Sequence, residues 1–175
     1  MRRKLVILLM IWLCFILQTS VFKMLDIITI APNLLLIMTT SIAFMQGRKE
    51  GMTVGFVCGL FYDLTYGYLL GTHSIILVVI GYACGSFRNI FGDEDIKVPL
   101  LLVAAGEIFY NIVIYIFGFL LQGRTEFVSY FKTIILPETV WTVLITIVLY
   151  RLIYRINHRM VEKEKEGNQS LWIRD

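Results

Sequence analysis

The chain has 175 residues, of which 58% are hydrophobic and only 17% charged, and its mean hydropathy is +0.76. A soluble domain is about half apolar and a quarter charged, so water is not the main solvent of this chain. Its net charge of +3 is carried by basic residues at the edges of apolar runs, which fits membrane orientation and lipid headgroups and argues against a nucleic-acid partner.

Crossing a hydrocarbon layer roughly 30 Å thick takes about 20 mostly apolar helical residues, and six runs qualify. The first, 5–22, follows MRRK and resembles a secretory signal in charge and length. No A-x-A-like site follows it, and Ile11, Trp12 and Leu13 are too bulky before Cys14 for a lipoprotein processing box, so it is expected to remain as a first span. The second is 27–45. The third and fourth, 51–70 and 72–87, are two spans if the turn around Gly67 and Gly71 is tight; one span plus a re-entrant segment gives five crossings instead. The fifth is 98–121 and the sixth 134–150. A polar tail, 157–175, carries alternating Glu and Lys that extend the last helix by a turn or two before Gly167, and no enzyme-sized soluble domain is expected beyond the spans.

Charge arbitrates the count, because cytoplasmic loops collect Lys and Arg. With six spans and both ends inside, 13 basic residues lie on the inner side and only Lys23, Arg124 and Lys132 on the outer. Five spans place the basic tail opposite the basic N-terminus. The expected fold is therefore an all-α integral membrane bundle of six helices with both termini and the loops 46–50 and 89–97 in the cytoplasm. Cys14, Cys58 and Cys84 fall inside spans without a C-x-x-C pair, and His73 and His158 fall at opposite faces, so neither a disulfide framework nor a metal site is expected.

The third span opens with GMTVGFVCGLFYD, which sets Gly51, Gly55, Gly59 and Asp63 four residues apart. Four residues advance about 400° around a helix, so these glycines form a slowly drifting flat face. Helices in lipid associate by close van der Waals contact rather than by hydrophobic drive, and such a face lets two backbones meet. Gly81 and Gly85 repeat the spacing in the fourth span, which predicts a tight hairpin between the two. Gly59→Leu is then expected to be costly and Gly59→Ala milder.

Two acids fall within spans, where a carboxylate costs several kilocalories per mole. Asp63 is read either as a buried acceptor for donors near the end of its helix or as a contact for a partner or ligand. On the first reading Asp63→Asn keeps an acceptor of similar shape at no charge cost. Glu107 has Asn111 one turn later on the same face, and that pair wants a polar neighbour from another helix: Gln18, Thr19, Ser20 or Asn33. Glu138, beside Pro137, is read as a helix-start acid favoured by the dipole.

The ordered set LQTSVF, APNLLLI, GRKEG before GFVCGLFYDL, and GYLLGTHSIILVVIGYACG resembles the MreD family of bacterial rod shape-determining proteins. The resemblance covers the chain in length and span order and is sharpest over 30–85. After Phe91 it rests on hydropathy, so Glu107 inherits no motif. It implies a non-enzymatic, cofactor-free component of the elongation machinery in the bacterial cytoplasmic membrane, working with MreC, the actin-like MreB, and the wall synthases RodA and penicillin-binding protein 2. The family also resembles, in fold, the substrate-binding subunits of energy-coupling-factor transporters. The rival function is thus a small-molecule-binding subunit with an outward polar cavity lined by Asp63 and residues 66–74. Against it stand the lack of a broken-helix repeat pair and the rule that fold likeness does not carry function. An enzyme is the weakest reading, since no clustered acids, His-rich motif or Ser-His arrangement is present.

Overall fold

Helix is the only regular structure among the residues that the computed structural model describes, which are 2–21, 31–66, 70–88, 97–120 and 127–172, with side chains described over 3–20, 31–65, 70–88, 97–118 and 127–160. Helix α1 spans Arg2–Ile16 and runs on through a π-helical stretch, Leu17–Val21. Helices α2, α3 and α4 span Leu34–Gln46, Arg48–Tyr66 and Thr72–Phe87. Helix α5 spans Lys97–Tyr115 and widens into the π-helical Ile116–Leu120. Helix α6 opens as Phe127–Tyr130, passes through the π-helical Phe131–Ile135 and continues as Leu136–Trp172. Three helices are long and apolar enough to cross a membrane by themselves, over Arg3–Ser20, Lys97–Gly118 and Phe127–Met160; α2 and α4 are apolar but shorter.

Several boundaries differ from the expected ones, each for a local reason. The run 27–45 becomes a helix only at Leu34, because Asn33 caps it by accepting from Leu36 N; residues 27–30 lie outside the described residues. The loop expected over 46–50 shrinks to Gly47, whose φ of +96° ends α2, and Arg48 already belongs to α3. The third run, 51–70, therefore starts earlier and its helix ends at Tyr66, while Gly67 lies outside the described residues. Around 98–121 the helix begins at Lys97 and turns π-helical after Tyr115.

The run 134–150 is the middle of a much longer helix. Glu138 does not start it, because the chain is helical from Phe127 onward. A proline inside a helix lacks the N–H and crowds the carbonyl four residues back, and the wider turn at Phe131–Ile135, closed by Leu136 N on Phe131 O, supplies the room that Pro137 needs. The polar tail does not fray before Gly167 but stays helical to Trp172.

Helix α2 is the axis of the bundle and packs against α1, α3, α4, α5 and α6. Every residue from Leu34 to Met45 is buried, as a helix apolar on all sides requires. Its two threonines spend their donors within the helix, Thr39 and Thr40 donating to Leu35 O and Leu36 O, each at 2.9 Å. The perimeter is the reverse of a soluble protein. Leu5, Leu9 and Trp12 on α1, Phe56 and Leu64 on α3, Ile75 on α4, Leu101 on α5, and Val148 on α6 all point outward. In water that much exposed apolar surface drives aggregation; against lipid chains it is neutral, so the surface pattern and the composition agree on the solvent. The buried thiols of Cys14, Cys58 and Cys84 are free.

The α3–α4 hairpin is the tightest contact. A Cβ on Gly51 would sit 2.5 Å from Ala43 Cβ and 2.7 Å from Gly81 O, and one on Gly85 2.6 Å from Arg48 N. At Gly55 it would strike Leu77 O, at Gly81 the carbonyl of Gly51, and at Gly59 the Cα of Ser74. Apart from Ala43 Cβ, which belongs to α2 and has no torsion by which to move aside, these obstacles are backbone atoms of the hairpin, so even a methyl group forces the helices apart. That revises the expectation of a mild Gly59→Ala. Gly59→Ala is predicted to destabilise the protein by about 1–3 kcal/mol, the usual range for overpacking, whereas Gly118→Ala, which meets nothing within 4 Å, leaves stability unchanged. Thermal midpoints of the purified variants in one detergent check this; equal midpoints for Gly59→Ala and Gly118→Ala would contradict it.

Candidate functional site

Two helix N-termini lie at the same end of the bundle, and both are capped by side chains from neighbouring segments. The first few N–H groups of any helix lack intrahelical acceptors. For α2 they are met by Gln18 of the α1 extension, whose Oε1 accepts from Leu34 N at 3.0 Å and Leu35 N at 3.3 Å, and by Asn33 Oδ1, which accepts from Leu36 N at 3.1 Å. Asn33 N donates in turn to Thr142 Oγ1 of α6 at 3.1 Å.

For α4 the acceptor is Asp63 of α3. Its Oδ2 accepts from Gly71 N at 2.9 Å, Ser74 N at 3.1 Å and Ser74 Oγ at 2.6 Å. Its Oδ1 accepts from His73 N at 3.0 Å and His73 Nδ1 at 2.9 Å. Asp63 is 4% exposed, so a buried carboxylate is held by five donors and faces the positive end of the α4 dipole. Gly71 makes the approach possible, since its φ of +102° turns its N–H toward the carboxylate and an added Cβ there meets no atom; the requirement is conformational.

The ring of His73 stacks on Tyr62, with centroids 5.2 Å apart and planes within 2°. Both rings meet Tyr110 of α5, at 5.9 Å and 6.2 Å, and Gln18 Nε2 donates to the hydroxyl of Tyr62. Glu107 is wholly buried. Its Oε1 accepts from Asn111 Nδ2 at 3.2 Å, and Asn33 and Glu138 complete its surroundings. Among the described residues Glu107 Oε2 and Asn33 Nδ2 have no hydrogen-bond partner. The structure thus gathers Gln18, Asn33, Tyr62, Asp63, His73, Glu107, Tyr110, Asn111 and Glu138 into one polar layer that joins all six helices.

Of the four neighbours weighed for Glu107 and Asn111, Asn33 is the one beside the pair. Gln18 serves α2 and Tyr62, and Thr19 bonds back to Phe15 O at 2.8 Å. Sequence reasoning missed the second acid at that site, because Glu138 beside Pro137 reads as a helix start. It also missed His73 and Ser74 as the partners of Asp63. The signal for these was present: Thr-His-Ser directly after Gly71 is a helix-opening sequence, and a carboxylate one turn before the preceding helix ends lies within reach of it. The five glycines Gly51, Gly55, Gly59, Gly81 and Gly85 lie outside the layer, on the seam between α3 and α4 that holds Asp63 against Ser74.

The geometry changes what Asp63→Asn is expected to do. Both carboxylate oxygens accept, so an amide places an NH2 group against existing donors whichever way it turns. Asp63→Asn is predicted to cost about 2 kcal/mol, the penalty for a buried donor left unpaired. Glu107→Gln has the opposite expectation: it removes the wholly buried member of a pair of neighbouring acids, the half-buried Glu138 remaining, and is neutral or stabilising. Thermal midpoints check the pair, and a midpoint that survives Asp63→Asn but drops in Glu107→Gln would contradict both assignments.

Comparison with curated proteins and with solved structures finds no match. A family model, that of rod shape-determining protein MreD, matches residues 1–159 of the 175. The match includes all six helices up to the last turns of α6, and it takes in the glycine seam, Asp63 and the Glu107 cluster together. The chain belongs to the MreD family of rod shape-determining membrane proteins.

Proposed function

We propose that the protein is a multi-pass scaffold of the cell-elongation machinery in the bacterial cytoplasmic membrane. Its six helices all cross the bilayer with both termini in the cytoplasm, and it maintains rod shape by linking MreC and the wall synthases RodA and penicillin-binding protein 2 to MreB. It performs no catalysis and uses no cofactor. The observation that carries this reading is the use of Asp63: five donors from the start of α4 occupy its two oxygens, so the carboxylate acts as an internal tie. A ligand-binding subunit needs that group free to face a cavity. The groove of about 620 Å³ that Asp63 adjoins is walled by Phe56, Leu60, Leu64, Leu70 and Ile75, which suits lipid or another helix better than a polar small molecule.

Partner retention separates the scaffold from the transporter-type alternative. Affinity-tagged protein purified in mild detergent is expected to bring MreC with it, and a panel of vitamins is expected to leave its melting temperature unchanged. A vitamin that raises the midpoint by several degrees, as a ligand at about 100 times its Kd does, together with absence of MreC, would overturn the reading.

Topology is tested independently. Lys49 and Ser129 are exposed at opposite ends of the bundle, and the three native thiols are buried. In intact cells an impermeant maleimide is expected to label Ser129→Cys and to spare Lys49→Cys; the reverse pattern would invert the proposed orientation.

A further inference from the structure

Arg151, Arg155 and Arg159 recur every fourth residue along α6, so they descend one flank of the helix at about 6 Å per step. All three are exposed, and among the described residues none makes an ion pair or a hydrogen bond. Other arginines of the same end are engaged: Arg3 approaches Glu50 at 3.9 Å and Arg48 lies 5.4 Å above the ring of Tyr82. On the same flank the helix exposes Leu144 and Val148 before the first arginine and Leu152 directly after it. Two recesses meet at Arg155. One, of about 320 Å³, is lined by Ile147, Val148, Arg151, Leu152 and Arg155; the other, of about 300 Å³, by Tyr154, Arg155, His158 and Arg159.

The order along the helix is an apolar wall, then a fork of guanidinium groups. That is the covalent order of a phospholipid, acyl chain first and phosphodiester next. Topology alone requires only positive charge at this level, which lysine supplies as well; arginine adds planar paired donors that match phosphate oxygens. A soluble acidic partner would use the arginines without the wall, and a transmembrane partner would use the wall without three cations.

We propose that this flank of α6 is a binding site for an anionic glycerophospholipid of the inner leaflet. The acyl chain lies along Leu144, Val148 and Leu152, the phosphodiester is held between Arg151 and Arg155, and the outer part of the headgroup reaches the recess at Arg159. The site rests on the membrane orientation proposed above, in which this end of the bundle lies at the cytoplasmic headgroups.

The full chain reconstituted in phosphatidylcholine bilayers, with a trace of spin-labelled phosphatidylglycerol or spin-labelled phosphatidylcholine, gives the test. The motionally restricted fraction is expected to favour phosphatidylglycerol, and Arg155→Gln is expected to reduce that preference by about fivefold, the effect of one basic group at the membrane surface. Arg155→Lys retains part of it, and Arg88→Gln, which removes an exposed charge elsewhere on the same end, leaves it intact. Thermal midpoints of the variants are expected to equal that of the native chain. Four results would each overturn the proposal: no preference in the native chain, a preference that survives Arg155→Gln, an equal loss in Arg88→Gln, or displacement of the label by inorganic phosphate alone. A preference that fades as the protein is diluted in the bilayer would assign the flank to a second copy of the chain and overturn it too.

Discussion

The carboxylate of Asp63 is the tie on which the arrangement of the bundle depends. Helix α4 has sixteen residues and is roughly 24 Å long, short of the roughly 30 Å of a hydrocarbon core. On the proposed six-span topology a helix that short begins where water is scarce, and each unmet N–H there costs several kilocalories per mole. Asp63 answers three of those N–H groups and the Ser74 hydroxyl from the neighbouring helix. A charge that is costly to bury thereby becomes the acceptor for the buried start of a short helix. Helix α2, with thirteen residues, meets the same problem with neutral amides, Gln18 and Asn33.

The glycine seam and the cap depend on each other. Asp63 reaches Ser74 because Gly59, one turn before it, lets the Cα of Ser74 lie against the α3 backbone. Separation of the two helices by the width of a methyl group would pull the 2.6 Å and 3.1 Å bonds of Ser74 beyond hydrogen-bonding distance. From Asp63 the connection runs by contact through His73, Tyr62 and Tyr110 to the level of Glu107, and by Asn33 and Thr142 to α6. The polar side chains of this layer therefore lie inside the bundle beside the apolar core of α2, while many large apolar side chains of the other helices face outward. Specific contact between its helices is made by the layer and the seam, where lipid cannot substitute for the partner.

Much of this was legible in the residues. The four-residue glycine spacing pointed to a close α3–α4 hairpin, and the run 72–87 coincides with the observed α4. The place of Asp63 and Glu107 in apolar runs marked both as acids in need of partners, while leaving Asp63 open between a buried acceptor and a contact for a partner or ligand. What hydropathy could not supply were ends and partners. Residues 27–45 read as one span because a hydropathy average passes over Asn33, a preferred cap residue, and Pro137 read as a start because a π-helical turn that accommodates a proline leaves no compositional trace. Glu138 went unread as the neighbour of Glu107 for the same reason: 31 residues separate them, and only the packing of α5 against α6 brings them together. The methyl-sized tolerance at Gly59 was also beyond sequence, since it depends on whether the opposing atom is side chain or backbone.

Hydrogen–deuterium exchange of the full chain in nanodiscs measures the central tie directly. The amides of Gly71, His73 and Ser74 are expected to be protected in the native chain and to exchange faster by one to two orders of magnitude, roughly the effect of 1.4–2.8 kcal/mol, in Asp63→Ala. The amides of Leu34, Leu35 and Leu36, which bond to Gln18 and Asn33, are expected to keep their protection in the same variant. Unchanged protection of Gly71, His73 and Ser74 in Asp63→Ala would contradict the account.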